Sequence, residues 1–347
     1  MTPDGGTFWH GRRVLVTGHT GFKGAWLTLW LSSLGAEVTG LSAGVPTDPS
    51  LYALAGVHDD VRTVEADVRD SEAVSRAVAE ARPDVVLHLA AQPFVRRSYD
   101  EPAETWATNV DGTINVLDAV RRADVPVTVV ITSDKCYDNR EQRRPFVESD
   151  PMGGHDPYSS SKGAAELAVD AWRRSYGIRV ATGRAGNVIG GGDWGEDRLI
   201  PDIMRAASAG SPIAIRRPDA IRPWQHVLEP LSGYLMLAER LWGDGDFAEG
   251  WNFGPDPTDA RPVSHVVERI TALWPGELAW DIDPGPHPHE AGFLALDSTK
   301  AREELAWAPR WDLDTALERI VEWHVGHRDG ADLRALTLAQ IERYVSS

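Results

Sequence analysis

Sulfur and positive charge are both scarce in this chain. A single cysteine, Cys136, among 347 residues rules out an intrachain disulfide. A chain without disulfides suits a reducing compartment, so a cytoplasmic location is expected. Lysine and arginine number 35 against 52 aspartates and glutamates, a formal net charge of -17. That balance repels polyanions and argues against general nucleic-acid or anionic-membrane binding. No apolar run is long enough to span a bilayer, and Met1-Thr2-Pro3-Asp4-Gly5-Gly6 lacks the basic segment and apolar core of a signal peptide. Repeats and low-complexity tracts are missing as well. What remains is 42% hydrophobic and 25% charged, ordinary for a globular protein. Fourteen tryptophans are unusual, and several at helical spacing read as core or interface residues.

Apolar β-branched runs alternate with longer amphipathic stretches through the first half. Strands are expected at Arg13–Val16, Glu37–Leu41, Val61–Glu65, Asp84–Leu89, Val127–Thr132 and Arg179–Arg184. Helices are expected at Lys23–Leu34, around Thr105–Arg121 and at Ser160–Tyr176. Strands alternating with helices pair in parallel through right-handed crossovers, which predicts an α/β fold with a Rossmann-type, doubly wound parallel sheet. After Gly190-Gly191-Gly192 prolines and short elements take over, so a smaller, irregular C-terminal substrate-binding domain is expected. The division reads as residues 1–192 for the dinucleotide and mainly 193–347 for the substrate. A segment near 228–255, opening with an apolar helix at Leu228–Leu241, is expected to return to the first domain.

Thr17-Gly18-His19-Thr20-Gly21-Phe22-Lys23-Gly24 lies between the first strand and the first helix. Its glycines follow GxxGxxG where the usual dinucleotide fingerprint is GxGxxG. Gly18 permits a tight turn, Gly21 a close approach to pyrophosphate, and Gly24 close packing of helix on strand. An acidic residue is expected after the second strand to hold the adenosine ribose. Here Ser42-Ala43-Gly44-Val45-Pro46-Thr47 offers none before Asp48, and no arginine replaces it. The loop therefore leaves NAD and NADP both open. Asp67-Val68, after the third strand, is a candidate adenine contact, with a solvated loop aspartate as the alternative.

Tyr158 and Lys162 stand four residues apart, one helical turn and so one face. A neighbouring cation favours phenolate and is expected to lower the tyrosine pKa toward that of a general base. Ser133, Asp134 and Lys135 follow a strand, and the carboxyl ends of parallel strands are where ligands bind. Ser133 is the expected third partner of Tyr158. Asp134 and Lys135 place an acid and a base side by side, the bland alternative being a loop salt bridge. Cys136 reads as a buried small hydrophobe, and His88 as a packed histidine. His287 and His289 are too isolated among prolines to form a metal site, and no metal is expected.

Taken together the chain resembles the extended short-chain dehydrogenase/reductases that act on nucleotide sugars, most closely their CDP-glucose 4,6-dehydratase branch. The resemblance lies in TGHTGFKG (17–24), HLAAQP (88–93), TSDKCYDN (132–139), DPMGGHDPYSSSK (150–162), RAGNVIGGGDW (184–194), DRLIPDI (197–203), IRPWQHVLEPLSGY (221–234) and HPHEA (287–291). His19, Lys23 and Lys135 are particular to that branch, whereas Gly44 stands about where the branch often has aspartate. The resemblance implies NAD held by Gly18, His19, Thr20, Gly21, Phe22, Lys23, Gly24, Asp67, Val68, Leu89, Ala90, Ala91, Asn109, Tyr158 and Lys162. It implies substrate contacts from Gln92, Asn187, Arg198, Arg216, Arg222, His289 and Glu290. It implies that Tyr158 takes the sugar 4-hydroxyl proton, Lys135 the C5 proton, and that protonated Asp134 expels the 6-hydroxyl. A homodimer or homotetramer is expected. Two competitors stay open: a nucleotide-sugar 4-epimerase, which has no need of Asp134 and Lys135, and a non-catalytic dinucleotide-binding regulator, which has no need of Tyr158.

Overall fold

The structure, a computed structural model, describes residues 7–142, 144–283, 285 and 293–347. Its centre is a sheet of seven strands. Six are β1 (Arg13–Thr17), β2 (Glu37–Ser42), β3 (Arg62–Glu65), β4 (Val85–His88), β5 (Val127–Ile131) and β6 (Val180–Arg184). The seventh is Gly250–Asn252. Every pairing is parallel, and the order across the sheet is Gly250–Asn252, β6, β5, β4, β1, β2, β3. The doubly wound sheet expected from the alternation of strands and helices is present. The order reverses between β1 and β4, which opens a crevice at the carboxyl ends of those two strands.

β4, β5 and β6 are buried along their whole length. That is why Val85-Val86-Leu87 and Val127–Ile131 carry side chains suited to both faces rather than an alternation. The helix Phe22–Ser33 has eight consecutive buried residues, Gly24 to Leu31. A helix apolar on all sides needs cover on all sides. The sheet supplies one side, and the C-terminal helix Leu333–Ser346 supplies another, with Tyr344 meeting Trp30 edge-on at 5.7 Å. Five tryptophans (9, 26, 251, 307 and 323) are among the largest fully buried side chains.

Two local forms depart from the sequence reading. The stretch expected as one helix around Thr105–Arg121 is built from Pro102–Trp106 and Gly112–Arg122, joined by a wider π-turn at Ala107–Asp111. A further helix, Ser71–Ala81, fills the β3–β4 crossover, its first turn capped by Asp70 accepting from the N–H groups of Glu72 and Ala73.

Beyond residue 193 the strands are short, two or three residues each, and stand among helices of up to 16 residues. Ile213–Ile215 pairs with Trp280–Ile282, and Ile221–Pro223 with Ala260–Pro262. They surround a second apolar cluster that includes Ile203, Met204, Val266 and Ile270. The helix Leu313–Arg328 ties this cluster to the main core, with Leu317 and Ile320 in the former and Trp323 in the latter. The helix Leu228–Gly243 packs on the sheet through Leu228, Leu231, Tyr234 and Leu235. No helix of the described residues is long and apolar enough to cross a membrane.

Candidate active site

The glycine loop is shaped for close backbone approach. Gly18 has a positive φ of +72°, and an added Cβ would lie 2.8 Å from the Ala90 backbone. A Cβ on Gly24 would lie 2.1 Å from the Gly18 carbonyl. Only glycine at both positions lets β1, the loop and the helix Phe22–Ser33 meet. The N-cap, Gly21, makes no side-chain hydrogen bond, and the first turn holds no acid. The first-turn N–H groups and the positive end of the helix therefore face an anion-sized space, a cradle that fits the pyrophosphate of a dinucleotide. Thr20 Oγ1 donates to the Gly44 carbonyl at 2.7 Å and lies 2.7 Å from Ser42 Oγ, which ties the β2 loop over the cradle.

His19 corrects one expectation. Its ring is buried against Gly40, where an added Cβ would come within 2.3 Å of it, and Nε2 lies 3.2 Å from Thr63 Oγ1. Burial lowers its pKa. The side chain packs β2 and β3 and does not line the cleft. Asn109 corrects another. From the π-turn it donates to the Gln92 carbonyl at 3.1 Å and to Ser161 Oγ at 2.9 Å, and accepts from the Gln92 N–H at 2.8 Å. It braces the loop after β4 from behind. Gln92 borders the cleft with its own amide engaged by Phe94 and Thr105. Leu89, Ala90, Ala91, Phe22, Asp67 and Val68 line the cleft. The pKa of Asp67 is lowered by hydrogen bonds from Arg69, with which it pairs at 2.6 Å.

Ser133, Asp134, Lys135, Tyr158 and Lys162 all line this one cleft of about 870 Å³, within the range of small-molecule sites. Ser133 Oγ donates to Asp134 Oδ1 at 2.9 Å, and its hydrogen bonding also lowers the pKa of Tyr158. Asp134 is buried. Burial raises its pKa against the opposing pull of Lys135, the Ser133 hydroxyl, Lys23 and Arg222. A raised pKa favours the protonated form that departure of a hydroxyl requires. Space for that carboxyl exists because residue 186 is glycine: an added Cβ would lie 1.7 Å from Asp134 Oδ2.

The lowered pKa expected for Tyr158 is not found, because burial outweighs the groups that favour the phenolate. Burial pushes the phenol up to about 12, and the groups that lower it are Ser133 and Arg198. The Lys162 ammonium is drawn toward the Ile131 carbonyl at 3.4 Å, and burial pushes it down to about 8. Lys23, from the glycine loop, is likewise brought down to about 8, by burial first and then by Arg198 and Lys162, with Asp134 and Asp193 opposing. Its charge thus bears on the Asp134 end of the cleft as well as on the glycine cradle.

Beneath these groups lies a network that the sequence reading did not identify. Glu166 accepts from Thr132 Oγ1 at 2.5 Å and Thr182 Oγ1 at 2.8 Å, and pairs with Arg184 at 2.7 Å. Arg184 in turn donates to the Tyr137 hydroxyl at 2.8 Å. Both charges are buried, and the pairing holds the Glu166 carboxyl below its ordinary range despite burial. The network locks the ends of β5 and β6 to the helix Pro157–Tyr176. Its signal was Glu166 standing one turn beyond Lys162, on the same face as the Tyr158–Lys162 pair.

Among the expected substrate residues, Arg198 lies in the cleft, pairing with both oxygens of Asp193 at 3.0 Å and stacking over Phe94 at 5.1 Å. Arg216 lies 3.6 Å from Asp197 and 3.7 Å from Asp202, and Arg222 faces Asp134. Asn187, at a φ of +48°, also lines the cleft, its amide donating to Asp134 Oδ2 at 3.4 Å. His289 and Glu290 lie outside the described residues.

The GDP-mannose 4,6 dehydratase family matches residues 15–320. A CDP-glucose 4,6-dehydratase of Salmonella typhimurium is 49% identical over 351 residues, covering 98% of each chain. Solved structures of similar fold include a dTDP-glucose 4,6-dehydratase from Bacillus anthracis in complex with NAD, with a TM-score of 0.76 at 23% identity, covering 92% of this chain and 98% of that one. They also include a UDP-glucose 4-epimerase from Thermotoga maritima, with a TM-score of 0.78 at 22% identity, covering 91% of this chain and 99% of that one. Dehydratases and epimerases thus share the fold, and the sequence match over nearly the whole length decides between them: the chain belongs to the GDP-mannose 4,6 dehydratase family.

Proposed function

We infer that this chain is a CDP-glucose 4,6-dehydratase, converting CDP-glucose to CDP-4-keto-6-deoxyglucose and water. The observation that carries this is the 49% identity across 98% of both chains to an enzyme of that activity. It is supported by Asp134 and Lys135 standing in the same cleft as Tyr158, an acid and a base that an epimerase does not require. NAD is the proposed cofactor, held by the Gly18–Gly24 loop, Val68, the Leu89–Ala91 backbone and Lys162. When bound, NAD would take the C4 hydride and return it at C6, and its positive nicotinamide would draw the Tyr158 phenol down from about 12.

The protein's part begins with Tyr158 receiving the 4-hydroxyl proton, Ser133 hydrogen-bonding the same oxygen. The resulting 4-ketone acidifies C5–H, and Lys135 removes that proton. The electron pair left on C5 forms the C5–C6 double bond as the C6–O bond breaks. Asp134 gives its proton to the departing oxygen, so that water leaves and a carboxylate remains. C5 is reprotonated from Lys135 when C6 becomes a methyl group. Arg198, Arg216 and Arg222 gather positive charge for the substrate diphosphate against the net -17. We further propose a cytoplasmic enzyme that works as a homodimer or homotetramer. Incubation with CDP-, dTDP-, GDP- and UDP-glucose, with and without added NAD, tests the reading. An alkali-labile ketosugar should form from CDP-glucose first. Turnover of dTDP-glucose at an equal or higher rate, or a 4-epimer as product, would overturn it.

A further inference from the structure

A carboxyl that surrenders its proton inside the protein leaves a buried anion, and that anion needs donors. Asp134 is only 2% exposed. Two side-chain donors reach it, Ser133 Oγ at 2.9 Å and the Asn187 amide at a long 3.4 Å. The cations facing it are Lys135, Lys23 and Arg222. A further hydroxyl, that of Tyr234, lies in the helix Leu228–Gly243 without donating to Asp134. The ring of Tyr234 fills the space that residue 183 leaves by being glycine, where an added Cβ would lie 2.6 Å from its Cε1. The Gly183 carbonyl accepts the Thr132 N–H at 3.0 Å, so the ring sits behind the junction leading to Ser133 and Asp134. Tyr234 is 0% exposed, yet its hydroxyl has no hydrogen-bond partner among the described residues. The ionisable groups that bear on it are Asp134 and Tyr158. Gln225 Oε1 is also buried without a partner, while its Nε2 donates to the Gly186 carbonyl at 3.2 Å. Gly186 is the residue that abuts the Asp134 carboxyl.

We propose that Tyr234 is a positioning residue for the elimination: its hydroxyl donates to the Asp134 carboxylate as that charge forms, directly or through one buried water shared with Gln225 Oε1. The proposal rests on the reading of Asp134 as the acid. It accounts for a buried phenol that otherwise carries the cost of an unmade hydrogen bond. Ionised Asp134 gains from the donor and protonated Asp134 does not, so the benefit falls on the elimination step.

Tyr234→Phe keeps the ring that packs on Gly183 and removes only the hydroxyl. In single turnovers with CDP-glucose, oxidation at C4 should keep its rate and its pH profile. Elimination should slow by about ten- to a hundredfold, the value of one charge-assisted hydrogen bond. The pH limb of elimination that reports Asp134 should move upward by on the order of one unit. In an Asp134→Asn background the same substitution should add nothing. An unmoved limb, or losses that multiply in the double variant, would overturn the proposal. So would a shift in the oxidation limb instead, which would make Tyr158 the partner. If Asp134→Asn alone eliminates at the normal rate, the assignment of the acid is what has failed, and the inference falls with it.

Discussion

Gly186→Ala adds one methyl group and puts the placement of the acid to a direct test. The backbone at Gly186 is not in the left-handed region, so alanine brings no conformational penalty of its own. Its Cβ would nevertheless lie 1.7 Å from Asp134 Oδ2 and 2.0 Å from Cγ. Ordinary contact needs about twice that separation, so the carboxyl must retreat by roughly 1.5 Å or rotate away. Either movement breaks the 2.9 Å bond from Ser133 and the 3.4 Å contact from Asn187. A displacement of about 1 Å at a reacting group costs on the order of 10²-fold in rate. Dehydration should therefore fall at least that far, while overpacking costs only about 1–3 kcal/mol of stability. The assay is a single turnover with NAD and CDP-glucose, following nicotinamide absorbance and ketosugar release. Reduced cofactor should form at close to the parent rate and then persist, with no product. Normal dehydration by Gly186→Ala would show that Asp134 does not act from this position. Loss of C4 oxidation in proportion would show that the carboxyl organises the whole site rather than the elimination alone.

Asp134→Asn and Lys135→Met should each block product formation while reduced cofactor accumulates, and Lys135→Met alone should stop exchange of the C5 proton with solvent deuterium. Normal dehydration by both would make the pair a structural ion pair. Tyr158→Phe should slow C4 oxidation by roughly 10²–10⁴ with little change in substrate binding, and near-normal single-turnover oxidation would rule Tyr158 out as the base. Glu166→Gln leaves Arg184 buried without its counter-charge and should destabilise the fold by about 3–5 kcal/mol, read as a lower urea midpoint; an unchanged midpoint would refute the role of that network. Lys162 holds a folded pKa of about 8 against its ordinary 10.5. Its charged form is thus penalised fully below 8, and stability rises with pH between the two values, where only the unfolded chain keeps the proton. Lys162→Met should accordingly raise stability at neutral pH by about 3 kcal/mol and flatten that rise, Lys23 supplying what remains. A less stable variant at neutral pH would reverse the sign of the argument.

Local pattern was enough to read the frame of this protein. Strands β1, β4 and β5 are visible as apolar β-branched runs because a parallel sheet covered on both faces demands them, whereas the helix Ser71–Ala81 is not read from the pattern. Gly18, Gly21 and Gly24 are legible because their spacing is imposed by one strand–turn–helix unit. Tyr158 and Lys162 are legible because four residues make one helical turn. Each of those signals is confined to a stretch of chain no longer than an element. The strand Gly250–Asn252 has only three residues, too few to show an alternation, and is a strand because β6 lies beside it. His19 sits within the most recognisable motif, but its ring turns to Gly40, a residue of the next strand. Lys162 stands one turn from Tyr158, yet depth of burial sets the phenol's pKa more than that neighbour does. The room for Asp134 is a missing side chain at Gly186, and the room for Tyr234 is another at Gly183. A missing Cβ carries no pattern of its own. Its meaning depends on which distant residue packs against it, and only the tertiary structure brings the two together.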